Sequence, residues 1–169
     1  MAWVTVESYS ASYSLNQNAA SATWLGQTFT PSVAHTILKV GLKLAKWGLP
    51  GIVTVSIRAT DGDGKPTGSD LCSGTINGDT LVDEGGTEVA QWYEITLGSG
   101  YALSAGVKYA IVIRAVDASG GASVSWRYGT SSGYAGGQRT ISADSGATWT
   151  LNNGDFNFYE QRKRRYCPP

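Results

Sequence analysis

Apolar and polar residues alternate one by one along most of this 169-residue chain, and that two-residue period limits its fold more than any other feature. Successive side chains on a strand point to opposite faces, so the alternation describes strands with one dry and one wet face. In ILKVGLKLAKW (37–47), Leu38, Val40, Leu42 and Leu44 share one face, and Lys39 and Lys43 take the other. GIVTVSIRAT (51–60) turns Val53, Val55 and Ile57 inward and Thr54, Ser56 and Arg58 outward. The same reading buries Tyr93, Ile95 and Leu97 in WYEITL, and Val107, Tyr109, Ile111 and Ile113 in VKYAIVIRAV. It buries Val124, Trp126 and Tyr128 in SVSWRYGT, and Phe156 and Phe158 in FNFYE. WVTVES (3–8) and TWLGQTFTP (23–31) add two strands, and no Ala/Leu/Glu/Lys stretch competes as a helix. One-sided strands of this kind belong to antiparallel sheets.

Turn residues collect between these runs, in KWGLPG, ATDGDGKPTG, LGSG and ASGG, where Gly, Pro and Asp reverse the chain. The expected fold is all-β: an antiparallel two-sheet β-sandwich, jelly-roll-like, with a short C-terminal tail. We place one β-sandwich domain at 1–159 and a basic tail at 160–169. The tail EQRKRRYCPP holds Arg162, Lys163, Arg164 and Arg165 against Glu160, whereas residues 1–159 hold nine bases and twelve acids, a net charge of −3. No base lies between Lys65 and Lys108, while Asp70, Asp79, Asp83, Glu84, Glu88 and Glu94 do, so the body is expected to have an acidic side. The longest apolar run, Tyr109 to Ile113, is far short of a membrane span. The start MAWVTVESYS has neither a charged n-region nor an apolar h-region, so synthesis in the cytosol without a signal peptide is expected.

Few residue groupings point to chemistry. Cys72 and Cys167 lack metal-ligand spacing; two free thiols or a bridge between them both remain open. His35, the single histidine, has no nucleophile and acid beside it in sequence and reads as a loop residue. DGDGKPTG (61–68) begins like a calcium loop with Asp61 and Asp63, but Lys65 stands where a third oxygen is required. The 79–88 loop carries Asp79, Asp83, Glu84 and Glu88 and reads either as a solvated acidic loop or as a cation site. Neither cofactor nor metal is expected.

SADSGATWT (142–150) sets Ser142, Asp144, Gly146, Thr148 and Trp149 in the pattern Ser-x-Asp-x-Gly-x-Thr-Trp. Turn chemistry accounts for each: the carboxylate accepts turn amides, Gly146 takes a positive φ, and the tryptophan packs beneath. The pattern resembles the Asp-box hairpin of sialidases and other glycan-acting propellers, where the boxes lie away from the catalytic site. A propeller needs several blades of roughly 40 residues each, and the box occurs once here, so a sialidase is excluded. More broadly, QTFTPS, LPGIVTVSIRATDGDGKPTG, WYEITL, AGVKYAIVIRA and SVSWRYG resemble a β-sandwich module found in phage and virion proteins and in bacterial surface proteins. The likeness covers residues 27–158 and implies binding or assembly rather than catalysis.

Binding candidates are aromatic. Trp47 lies in a turn, Trp92 has the opposite parity to Tyr93, and Tyr134 sits in the loop GTSSGYAGGQ without a strand to bury it. Exposed rings stack on sugar faces or anchor protein interfaces. The reading is a non-catalytic structural or interaction protein, a virion or particle-surface component such as a capsid decoration, tail or fibre. Its partners are expected to be copies of itself or other particle proteins, reached by tail docking through Arg162, Lys163, Arg164 and Arg165. The alternative is a carbohydrate-binding module using Trp47, Trp92 and Tyr134. Four consecutive bases without a basic body surface are a poor nucleic-acid footprint, and no membrane partner is expected.

Overall fold

The computed structural model describes residues 2–11, 15–85, 90–131 and 133–164. Its strands are β1 (Trp3–Tyr9), β2 (Leu15–Ala19), β3 (Trp24–Phe29), β4 (His35–Trp47), β5 (Ile52–Thr60) and β6 (Pro66–Asn77). After a 3-10 turn at Gly78–Thr80 come β7 (Gln91–Leu103), β8 (Tyr109–Arg114), β9 (Ser123–Gly129), β10 (Arg139–Ser142), β11 (Thr150–Leu151), β12 (Asp155–Phe156) and β13 (Phe158–Lys163). They form two antiparallel sheets packed as a sandwich. The first runs β1-β13-β4-β9-β12, with β7 also on β4 and β2 also on β9; the second runs β11-β10-β3-β8-β5-β6. Among the described residues no helix is long and apolar enough to cross a membrane.

The alternating residues supply the core between the sheets. Val40, Leu42 and Leu44 from β4 meet Val53, Val55 and Ile57 from β5, Ile111 and Ile113 from β8, and Trp126 from β9. Trp126 and Phe156 stack with ring centroids 4.2 Å apart. The indole N–H of Trp126 donates to the Asn157 carbonyl at 2.9 Å, so this large ring is buried without an orphaned donor. Asn157 is also where the last segment leaves β9 for β4 and β1, which makes β12 and β13 one broken strand.

Several expectations fail for identifiable reasons. Leu38 does not share the inward face of Val40, because the register breaks there. Ile37 pairs with Tyr101 and Lys39 with Thr96, so Leu38 alone opposes residues 97–100. This bulge flips the parity, burying Ile37 and leaving Leu38 half exposed. The expected LGSG reversal is thus a bulge inside the long β7, with Gly98 and Gly100 at φ of 60° and 78°. Val107 is 46% exposed because β8 begins only at Tyr109. Ser56 faces outward as expected, but it is buried there beneath Arg114, which donates to its hydroxyl. The boundary drawn at 159 falls inside β13, whose residues 158–161 pair with β4 and whose residues 158–163 pair with β1. His35 is the first residue of β4 and not a loop residue.

Candidate functional site

The outer face of the first sheet, where β1, β13, β4 and β7 lie side by side, carries a connected row of rings and charges. Trp3 is 40% exposed and Trp92 39%, on strands at opposite ends of this four-strand span. The Lys39 ammonium sits 4.2 Å from the centre of the Trp3 ring and donates to Glu94 Oε2 at 3.1 Å. The Tyr159 hydroxyl donates to the other Glu94 oxygen at 3.2 Å, and its ring lies 5.3 Å from that of Trp92. Partial burial and the neighbouring Glu94 carboxylate push the Tyr159 phenol up to about 12, so it remains a donor at neutral pH. Counting strand spacings and rise per residue, the row crosses roughly 20 Å of sheet.

Gly41 makes this surface possible. It pairs with Tyr159 on one side and Glu94 on the other. A Cβ built at Gly41 would fall inside the Tyr159 ring, so only glycine lets that ring lie flat across β4. Trp3, Tyr159, Lys39 and Glu94 are absent from the sequence-based candidates, because each is unremarkable alone and the row exists only through cross-strand register. The one available signal is the isolated glycine within the regular alternation of β4.

The three aromatic candidates separate. Trp92 belongs to the row. Trp47 is 46% exposed at the end of β4, on the same face as Lys43 and about 13 Å farther along the strand. Tyr134 is not an exposed ring: it stands edge-on to Phe158 at 5.2 Å and donates its hydroxyl to Glu7 Oε2 at 3.0 Å. Burial pushes its phenol well up. The backbone N–H groups of Gly133 and Tyr134 donate to buried Asp155, which also holds Gln27, so the loop itself is pinned. Sequence offered no strand to bury Tyr134; a buried carboxylate does so instead.

The basic residues of the expected tail are likewise part of the sheet. Arg162 pairs with Val4 and Lys163 with Trp3 in β13, while the Arg164 N–H donates to the Ala2 carbonyl. Arg165, Cys167 and Glu88 lie outside the described residues. Most described acids of the 70–94 stretch are paired, because strands distant in sequence bring bases to them. Asp70 binds Arg58 and Arg114. Burial works to raise its pKa, but the two guanidiniums outweigh that and hold the carboxyl low. Lys46 pairs with Asp83, buried Arg127 with buried Glu84, and Lys39 with Glu94. Asp79 accepts the Gly51 N–H. Among the described residues no group of acids, cysteines and histidine has metal-binding geometry. Asp61 caps its own turn, accepting from Asp63 and Lys65 N–H groups. The Cys72 thiol is pushed up to about 11 by burial and by Asp70.

Residues 142–149 form a tight turn over the outer face of the second sheet. Asp144 Oδ1 accepts from the Ser142 hydroxyl at 2.7 Å and the Thr148 N–H at 2.8 Å, and the Thr148 hydroxyl donates to Oδ2. These bonds, the Thr148 hydroxyl first, hold the Asp144 carboxyl down at about 2. Gly146 lies at φ 84° against the Trp24 ring, and Trp149 packs on Ala110 and Val112. Arg58 and Arg114 sit 5.3 and 5.1 Å from the Trp24 ring centre. Arg58 and Arg114 thus serve both Asp70 and the Trp24 ring.

A cleft of about 490 Å³ opens where β13 parts from the start of β4; it is lined by Ala34, His35, Thr36, Leu38, Arg162 and Lys163. At its base His35 Nδ1 donates to the Val33 carbonyl, and Nε2 meets Glu160 Oε2 at 2.8 Å. Compared with known proteins, the chain matches no protein-family model and no curated protein.

Proposed function

We propose that this protein is a non-catalytic binding module of a virion or other particle surface, and that the row Trp3–Lys39–Glu94–Tyr159–Trp92 is its contact surface for a glycan. The carrying observation is that two part-exposed tryptophans and a tyrosine lie on one flat sheet face with hydrogen-bonding groups held between them. A sugar ring offers an apolar C–H face for stacking and hydroxyls at its rim, which Lys39, Glu94 and the Tyr159 hydroxyl match. Rings fixed in a sheet lose little freedom on binding. The particle setting rests on the resemblance of the chain to phage and bacterial-surface sandwich modules. The non-catalytic reading draws support from the ionisable groups, since Asp70, Asp83, Glu84 and Asp155 each hold a structural partner. Docking by a free basic tail draws none, because Arg162 and Lys163 are strand residues.

A glycan array probed with the whole chain tests the reading. Retention is expected, with losses of about tenfold or more for Trp92→Ala or Trp3→Ala, on the scale of a stacked aromatic contact. Trp47→Ala, outside the row, is expected to have less effect. No glycan retained above background, or retention indifferent to both Trp3→Ala and Trp92→Ala, overturns it.

A further inference from the structure

Arginine is the residue that tells most here, because the other part-buried guanidiniums of the described structure are partnered. Arg58 and Arg114 hold Asp70, Arg127 holds Glu84, and Arg139 lies 4.0 Å from the Tyr128 ring centre and donates to the Asn153 carbonyl. Arg162 differs. It is half buried in the cleft with its Nε shielded from solvent and unpartnered, as that of Arg127 also is, but among the described residues it has no carboxylate, ring or carbonyl partner such as the others have. Taking a charge out of water without a partner is unfavourable. Lys163, in the same cleft, has only the Trp3 ring at 5.8 Å.

Among the described residues no carboxylate pairs with Arg162 or Lys163, although Glu160 keeps a buried Oε1 without a partner. Glu160 faces His35, and Glu7 accepts from the Ser32 N–H and the Tyr134 hydroxyl. The Val33 carbonyl accepts the Nδ1 proton, so the His35–Glu160 pair either is an ion pair or shares a proton between neutral groups, and both forms have zero net charge. Among the described residues the two cations of the cleft, half-buried Arg162 and exposed Lys163, therefore have no paired anion. One is a guanidinium, whose fork matches a carboxylate or sulfate. The other, Lys163, pairs across the strands with Trp3, the end of the aromatic row.

We propose that the cleft is an anion subsite and that the glycan bound along the row is acidic: its carboxylate or sulfate is held by Arg162 and Lys163 while a neighbouring sugar stacks on Trp3. This deepens the glycan reading above and rests on it for the sugar. The anion site itself is a separate claim about Arg162.

The test titrates the full chain, at constant ionic strength, with uronic-acid oligosaccharides and with the same oligosaccharides carboxyl-reduced to the alcohol. The acidic series is expected to bind at least about tenfold tighter, the gain of a charge-assisted pair, and Arg162→Gln is expected to erase that difference without weakening the reduced series. Arg162→Lys restores it only in part, because the fork is lost. Equal affinity for both series, or a preference that survives Arg162→Gln, overturns the subsite and leaves the glycan reading intact. If neither series binds, the glycan reading fails, and free glucuronate and sulfate decide the anion site. A saturable chemical-shift change abolished by Arg162→Gln sustains it, and none overturns it. The Arg162 side chain has no hydrogen-bond partner among the described residues, so both variants are expected to fold.

Discussion

Gly41 decides the shape of the binding face by what it lacks. Any side chain there meets the Tyr159 ring, so Gly41→Ala must lift that ring off β4 and break its bond to Glu94. Overpacking of this kind costs roughly 1–3 kcal/mol, read as a lower denaturation midpoint, and ligand binding falls with it. An unchanged midpoint together with unchanged glycan retention would show that the ring's position does not matter. Asp144 is a second residue with a single job. Its folded carboxyl lies at about 2, below the usual value of 3.8, so its contribution is present above the unfolded value and lost as pH falls through the folded one. Asp144→Asn removes this dependence; the wild-type chain is expected to lose stability between pH 4 and pH 2 more steeply than the variant. Parallel acid titrations followed by circular dichroism compare the two slopes directly. Both residues stand out in the sequence, Asp144 by its turn pattern and Gly41 as a glycine inside a strand. Only for Asp144 does the pattern also name the partners, because those are local; the partners of Gly41 come from two other strands.

At the scale of elements, the buried His35–Glu160 contact fastens the start of β4 to β13, which in turn carries β1. Burial alone would lower the imidazole pKa, but hydrogen bonds to Glu160 and Val33 and the Glu160 charge outweigh it, with Arg162 opposing. The folded pKa therefore lies above the ordinary 6.5. The sign follows: the contact contributes fully below the unfolded value and is lost as pH rises through the raised one. Urea midpoints are expected to fall as pH rises above 6.5, and His35→Gln is expected to flatten that fall. His35→Ala, which leaves Glu160 buried without its partner, is expected to destabilise by about 3–5 kcal/mol. A midpoint independent of pH in the wild-type chain would remove the contact's role. Nothing in the sequence announces this pair, since its members are 125 residues apart. The bulge opposite Leu38 is equally silent, because period-two reading assumes an unbroken register, and a bulge is an exception to it.

For the molecule as a whole, alternation was enough to reveal two antiparallel sheets, because burying one face of each strand is a local requirement repeated along the chain. Charge was misleading at the same scale. A stretch of 42 residues without a base, 66–107, reads as an acidic surface only while the chain is treated as a line. Folding brings Arg58, Arg114, Lys46, Arg127 and Lys39 to it from other strands. The C-terminal boundary is the sharpest consequence. Had the body closed at 159, deletion of residues 160–169 would leave it intact. In the sandwich, Glu160 and Gln161 continue the ladder to β4, and Gln161 to Lys163 hold the first residues of β1. The deletion also strips His35 of its partner and frees the Trp3 end of the aromatic row. The truncated chain is therefore expected to lose a cooperative thermal transition near the full-length midpoint, and glycan retention with it. Calorimetry of the two chains settles the matter: a truncated protein melting cooperatively at an unchanged temperature would return the boundary to 159 and reduce the last strand to an appendage.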